Sequence, residues 1–377
     1  MDIIATLGPS LLTWARINSF IDEGVTIFRV NGAHTDAHMV ASIVEKVRRF
    51  AGGRARIMVD LPTNKVRVMN ISEPIVFGAG DTFVIHGFQL NYPDLCQRVQ
   101  IGDEVIVNDG RNRLRVTGVN GPSIEFQAEG AGQLGNNRGL IFTREIHAPD
   151  FPYFFQRDLE LIEAVNDLNV DLVGLSYLRH PRDKQEAKRR IRARRSLVYK
   201  IETRAAFENL ERLIEPEERI LIDRGDLAGE IGLLHLPHAQ DRIIRFAHRH
   251  RVEVYVATQL LATMERAPIP QVAEVSALYE IVKLGVSGIQ LSEETAVGKF
   301  PLEAVRWIRG VERLVNDESD IRRPRAASNG RSPLSRRNRR ADRVVDVGEV
   351  AALKPQTLGP PDGTQEKVAG NETMATR

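Results

Sequence analysis

Disulfides, membrane spans and a dominant charge are all missing from this chain. Of its 377 residues only Cys96 is a cysteine, which excludes an intrachain disulfide and fits a reducing compartment. No apolar stretch reaches the roughly 18 residues that a membrane helix needs, so no span is expected. The opening Met1-Asp2-Ile3-Ile4 has no basic segment followed by an apolar one, so no secretory leader is expected. A cytoplasmic location is the consistent reading of these absences. The formal net charge is +2, so no global field dictates an acidic or nucleic-acid partner. What is there, 42% hydrophobic and 27% charged residues, is the composition of an ordinary globular protein.

The order of apolar runs predicts an α/β fold. Strands are expected at Ile3–Thr6, Thr26–Val30 and Arg56–Val59, and again at 172–176, 197–201, 219–223, 252–256 and 288–291. Helical periods fall between them, at Leu12–Asp22 and Ala37–Phe50, then 158–167, 181–193, 204–214, 238–250, 272–284 and 302–315. Eight strand and helix pairs favour a closed (β/α)₈ TIM barrel. From Val66 to Phe142 the texture changes to short alternating runs with Gly, Asp and Asn turns, such as Val105 to Gly110 followed by Leu114, Val116 and Val119. That pattern predicts a small antiparallel β-barrel domain inserted after the third strand. The expected organisation is a catalytic barrel over 1–63 and 144–317, a β lid over 64–143 and a tail over 318–377. The tail has no apolar period and crowds Arg322, Arg323, Arg325, Arg331, Arg336, Arg337, Arg339, Arg340 and Arg343 into one stretch. It is expected to be disordered, because it buries too little apolar area to offset its ordering entropy. Its Arg run leaves nucleic acid open as a partner, against a plainer reading as a solvated tail.

Several apolar runs end on chemistry-bearing residues. Leu197 to Ile201 carries Lys200 and ends at Glu202; Ile220 to Asp223 leads into Arg224, Gly225 and Asp226; Val252 to Val256 leads into Thr258. A parallel barrel gathers such strand ends on one face, where barrel enzymes do their chemistry. Two carboxylates, an ammonium and a hydroxyl then converge. Carboxylates with open positions suit Mg²⁺, and an ammonium beside them suits a migrating phosphoryl group. Singly, each has a plainer reading. Lys200 could snorkel from a strand end, Glu202 could pair with Arg204 on the surface, and Thr258 could cap a helix.

Read in order, these motifs resemble the pyruvate kinase family over residues 2–315. Ala5-Thr6-Leu7-Gly8-Pro9 is similar to its Ala-Thr-Ile-Gly-Pro, Arg29-Val30-Asn31-Gly32-Ala33-His34 to its Arg-Leu-Asn-Phe-Ser-His, and Asn108-Asp109-Gly110 to its Asp-Asp-Gly turn. Leu175-Ser176-Tyr177 resembles Leu-Ser-Phe. Lys200-Ile201-Glu202, Arg224-Gly225-Asp226-Leu227, Ala257-Thr258-Gln259 and Leu291-Ser292-Glu293-Glu294 follow in order and spacing. The resemblance implies phosphoryl transfer from phosphoenolpyruvate to ADP, giving pyruvate and ATP. Glu202 and Asp226 would then hold Mg²⁺ or Mn²⁺, and Lys200 would stabilise the phosphoryl group in flight. Thr258 would serve the enolate and its proton, and the N–H groups of Gly225 and Asp226 the substrate carboxylate. Arg29 would bridge phosphates, with Ser176 on the substrate and Ser292 and Glu294 in support. Asn31, His34, Arg67, Asp109 and Arg138 would face the nucleotide. A homodimer or homotetramer through the barrel is also implied.

The chain departs from the family in informative places. Potassium-dependent members hold a monovalent cation with an Asn, a Ser, an Asp and a Thr. Here Asn31 and Asp60 remain, but Ala33 and Leu61 replace the hydroxyls, and Lys65 replaces a nearby carboxylate. That matches the potassium-independent branch, so Lys65 is expected to supply the missing charge and K⁺ is not expected to be required. Pro62-Thr63-Asn64 lacks the family's Lys-Gly-Pro hinge. Asp223 stands where the family has Ala, Glu293 where it has Gly, and Val272 where it has an Arg that contacts a neighbouring subunit. No counterpart of the family's C-terminal effector domain is legible, so sugar-phosphate activation is not expected. Two other readings stay open. One is a Mg²⁺-dependent lyase or aldolase of the phosphoenolpyruvate/pyruvate superfamily, which would need neither Lys200 nor the insert. The other is a catalytically weak nucleotide-binding relative, suggested by Ala33, Val272 and the altered hinge.

Overall fold

The computed structural model describes residues 1–322 apart from 9–10, 109, 148–149 and 193–195. Eight strands close into a parallel barrel: β1 (Asp2–Thr6), β2 (Ile27–Asn31), β3 (Arg56–Leu61), β4 (Leu172–Leu175), β5 (Ser196–Ile201), β6 (Arg219–Asp223), β7 (Glu253–Ala257) and β8 (Gly288–Leu291). Neighbours in the barrel are neighbours in sequence, and closure comes from β1 pairing with β8, Ile4 opposite Gln290.

Strand alternation sorts side chains into two sets. Ile3, Ala5, Phe28, Val30, Ile57 and Val59 point outward into the main core beneath the helices. Ile4, Ile27, Met58, Leu172, Val198, Leu221 and Tyr255 point inward and form a separate apolar plug. Two residues further along each strand the inward set becomes Thr6, Arg29, Asp60, Gly174, Lys200, Asp223 and Ala257. The barrel interior therefore turns from hydrocarbon to charge as it approaches its C-terminal end. This is the physical basis of the site, because charged groups stacked over a dry plug are held rigidly and screened little.

The helices differ from expectation in several places. The run predicted at 204–214 is two helices, Arg204–Glu208 and Leu210–Leu213, separated at Asn209, whose ψ of 22° is not helical. The short helix expected to open at Gly225 and Asp226 is Arg224–Ile231, which starts directly at the end of β6 with Asp223 as its N-cap. An unpredicted short helix, Glu293–Ala296, follows β8. The last helix, Pro301–Arg322, runs beyond the predicted end at 315 and into the segment expected to be tail. Glu318 accepts a hydrogen bond from the Tyr279 hydroxyl at 2.8 Å, which ties that turn to helix Val272–Lys283. The rest of the predicted tail, with its arginines from 323 onward, lies outside the described residues. Among the described residues no helix is long and apolar enough to cross a membrane.

The insert is antiparallel, as expected, but its strands divide between two sheets instead of joining in one closed barrel. A five-stranded sheet runs in the order Ile141–Phe142, Glu104–Val107, Asn112–Asn120, Ser123–Ala128, Thr82–His86, and Ile75–Phe77 pairs with Gly132–Leu134. It has its own core, including Val68, Val105, Leu114, Val116, Ile124 and Phe126. That core reaches past 143 to Ile146 and Phe151.

The two connections between insert and barrel meet at one buried carboxylate. Asp158 accepts the Thr63 N–H and the Phe155 N–H, each at 2.8 Å. Thr63 Oγ1 and the Tyr153 hydroxyl both donate to the Ser176 carbonyl, at 2.6 and 2.8 Å. Burial pushes the Asp158 carboxyl up to about 6, against the pull of its backbone donors and of Arg67 and Arg157.

Candidate active site

The floor of the barrel mouth is a ladder of alternating charge. Arg29 Nε bonds Asp60 Oδ2 at 2.6 Å, and its Nη1 bonds Thr6 Oγ1 at 3.0 Å. Asp60 sits directly opposite Gly174 in the β3–β4 register. A Cβ on Gly174 would fall onto Asp60 Oδ1, so the glycine leaves room for the carboxylate to lean across. Lys200 comes next on β5. Its Nζ lies 2.8 Å from Glu202 Oε2, 3.2 Å from Asp223 Oδ2 and 3.5 Å from Ser176 Oγ.

Two local backbone features hold the ligands around Lys200. Tyr177 takes a left-handed φ of 49°, unusual for a non-glycine residue. That turn presents its N–H to Glu202 Oε1 at 2.7 Å. Thr258 is also left-handed, φ 67°. Its Oγ1 accepts the Gly225 N–H at 2.8 Å and lies 3.1 Å from Asp223 Oδ1 and 2.7 Å from the Ala257 carbonyl. Strain of this kind persists only where surrounding contacts over-determine it. Asp226, one turn into the helix, is bonded by Lys65 Nζ at 2.5 Å. Lys65 also lies 5.0 Å from the Tyr177 ring centroid and is overlaid by Gly139 of the insert, where a Cβ would meet the Lys65 chain.

The charges perturb one another strongly. Burial works against the Lys200 ammonium, but Glu202, Asp223 and Asp60 outweigh it and keep it charged far above neutrality. Glu202 is pushed up to about 7, chiefly by burial; Lys200 opposes this, and Asp223 and Asp226 add to it. Asp226 is also raised by burial, but Lys65 and Lys200 more than reverse that and hold it below the usual carboxylate range. The Lys200–Glu202 pair is a close ion contact without hydrogen-bond alignment, so the fully buried Glu202 Oε2 has no aligned donor. Oxygens of Glu202, Asp223 and Asp226 lie within 4.8 Å of one another. An orphaned oxygen in an all-oxygen set of this span fits a hard divalent cation such as Mg²⁺ or Mn²⁺.

Most of the residues singled out from sequence come together here. Lys200, Glu202, Asp226, Gly225, Thr258, Ser176, Arg29 and Lys65 are joined by the contacts above. Asn31 and His34 stand at the end of β2. The Asn31 side chain accepts the Ala33 N–H at 3.1 Å. His34 is solvent-accessible, yet the protein around it and then Arg67, Arg29, Arg157 and Arg138 lower its pKa, so these guanidiniums share one rim. Arg67, at the start of the insert, donates to the Asn137 carbonyl at 2.9 Å. Asp109 lies outside the described residues. Ser292 and Glu294 stand at the end of β8. The buried Glu294 carboxylate accepts the Ser292 N–H at 2.8 Å and the Leu261 N–H at 3.4 Å, bracing the β7 and β8 loops against each other.

Sequence reasoning missed Gly174, Asp158 and the backbone role of Tyr177. A glycine inside an apolar strand was the available signal for Gly174. Nothing local marked Asp158, whose partners are 95 and 3 residues away.

Residues 1–305 match the family described as pyruvate kinase, barrel domain. The pyruvate kinase of Mycobacterium intracellulare is 31% identical over 339 residues, spanning 85% of this chain and 71% of the relative. That of Pyrobaculum aerophilum is 30% identical over 353 residues, spanning 88% and 75%. That of Borreliella burgdorferi is 29% identical over 329 residues, spanning 83% and 68%. A parallel barrel whose mouth carries this ladder of Arg, Asp, Lys and Glu, matched along most of its length by such relatives, belongs to the pyruvate kinase family of phosphotransferases.

Proposed function

We propose that the protein transfers the phosphoryl group of phosphoenolpyruvate to ADP with Mg²⁺, leaving an enolate that is protonated to pyruvate. The observation that carries this reading is Lys200. It is a buried ammonium, 2.8 Å from Glu202 and 3.2 Å from Asp223, at the point where the barrel interior turns from apolar to charged. A loose phosphoryl transition state asks for fixed cations and alignment and little bond-making by the protein. Lys200 and Arg29 supply two such cations. Asp60 orients Arg29 with a 2.6 Å bond, so its guanidinium is set before substrate arrives.

Glu202 and Asp226 would hold the divalent cation, which would supply positive charge to the substrate oxygens. The N–H groups of Gly225 and Asp226, at the first turn of a helix, receive the substrate carboxylate. Thr258 Oγ1, held by Asp223 and the Ala257 carbonyl, passes a proton to the enolate carbon as it takes one from a solvent water, so the hydroxyl is regenerated. Asn31 and His34 from the barrel and Arg67 and Arg138 from the insert receive the nucleotide phosphates. Lys65 is the second ammonium of the site and takes the place of a potassium ion.

The test is to mix purified protein with Mg²⁺, ADP and phosphoenolpyruvate and follow pyruvate. Turnover supports the reading; nucleotide binding without turnover contradicts it. The Lys65 assignment has its own control. The rate in tetramethylammonium buffer should match that in KCl, and a fall to a few per cent would sink it.

A further inference from the structure

We propose that Asp223 is a third carboxylate ligand in the divalent-cation site, giving this chain cation affinity in the absence of substrate. The inference rests on the reading above, in that Glu202 and Asp226 are the other two ligands. Asp223 replaces the alanine that the resemblance leads one to expect, so its carboxylate is an addition to an already charged mouth. Its N-cap duty does not account for it. The Asp226 N–H approaches Asp223 Oδ1 at 3.4 Å, longer than a good N–H···O bond. Oδ1 is otherwise taken by the Thr258 hydroxyl at 3.1 Å. Oδ2 remains, facing the same Lys200 nitrogen that Glu202 Oε2 faces, at 3.2 and 2.8 Å.

Charge and geometry then agree. Lys65 contacts Asp226 and Lys200 contacts Glu202 and Asp223, while Arg67 and Arg29 act on Asp226 and Asp223 from further away. Three carboxylates thus crowd one pocket, and like charges held together out of water are costly. The fully buried Glu202 Oε2, which lacks an aligned donor, points at the same spot. An octahedral cation with oxygens at about 2.1 Å sets ligand oxygens about 3 Å apart when adjacent and about 4.2 Å apart when opposite. The three carboxylates offer oxygens within 4.8 Å of one another, slightly wider than that span. Lys200 now occupies the space between two of them, so a cation there displaces its ammonium from Glu202 and Asp223 and frees it for the substrate phosphoryl group. Added ligand charge raises cation affinity.

The experiment measures Mn²⁺ binding to the substrate-free full chain, reading free Mn²⁺ from its paramagnetic resonance signal. The proteins are wild type, Asp223→Ala and Asp223→Asn. The Asn variant keeps side-chain size and the cap, so it serves if the Ala variant does not fold. At least a tenfold rise in Kd in the folded variants is expected. A Kd within twofold of wild type overturns the proposal and leaves Asp223 as a support for Thr258 and Lys200. Pyruvate formation is assayed on the same samples. Asp223-dependent Mn²⁺ binding without turnover in wild type defeats the phosphotransfer reading alone. Turnover with Asp223-independent Mn²⁺ binding defeats the ligand proposal alone.

Discussion

Gly174 and Asp60 make an unusually exposed prediction, because the two residues occupy one volume. Any side chain at 174 must evict the Asp60 carboxylate, which packs where its Cβ would go. Eviction breaks the 2.6 Å Arg29–Asp60 pair, both members of which are buried. Removing one partner of a buried pair costs about 3–5 kcal/mol, because the other charge is left uncompensated. Gly174→Ala and Asp60→Ala should therefore each lower stability by about that amount. At about 2 °C per kcal/mol for a protein of this size, the calorimetric transition should fall by roughly 6–10 °C in each. In the double variant the space is already vacant, so Gly174→Ala should add less than about 0.5 kcal/mol. The coupling of about 3 kcal/mol is the signature of shared volume. Additive losses, or a Gly174→Ala protein as stable as wild type, would refute the packing argument.

Other substitutions test the chemistry. Lys200→Met should lower kcat by on the order of 10²–10³-fold or more while nucleotide Kd stays within a few-fold, measured by steady-state kinetics and equilibrium binding. Thr258→Ala leaves the Gly225 N–H without its 2.8 Å acceptor and should lower kcat at least about 10²-fold, whereas Thr258→Ser should retain most activity. Asp158 titrates near 6 in the fold against a normal 3.8, so the folded state binds the proton more tightly. Stability from this group is thus greatest below pH 4 and falls as pH rises to 6, by about 3 kcal/mol at 1.36 kcal/mol per pH unit. Unfolding followed over that range should show the slope in wild type and lack it in Asp158→Asn.

The barrel was legible because each strand is a short apolar run ending in polar residues, and the charged strand ends fell into one order. Lys200, Glu202, Asp226 and Thr258 could be read together for that reason. What could not be read depends on contacts between distant strands. Asp60 opposite Gly174 is a matter of register, and register is set by barrel closure, not by local pattern. The turns at Tyr177 and Thr258 have left-handed backbones in residues that do not favour them, so propensity argued against them. The motif at Glu294 could be read as a support from the eighth strand, but not its partners, the Ser292 and Leu261 N–H groups. The continuation of the last helix to Arg322 depends on a side-chain bond to another helix, which sequence polarity hid.

The central claim is that the Lys200 ammonium stabilises a phosphoryl group passing directly from an enolpyruvate to a nucleoside diphosphate. Phosphorus NMR of wild type and Lys200→Met with Mg²⁺, ADP and phosphoenolpyruvate tests it most directly. The account predicts growth of the ATP γ-phosphate signal in step with loss of the phosphoenolpyruvate signal in wild type, and the same changes at least about 10²-fold slower in Lys200→Met. Equal ATP formation in both proteins, or inorganic phosphate in place of ATP, would contradict it.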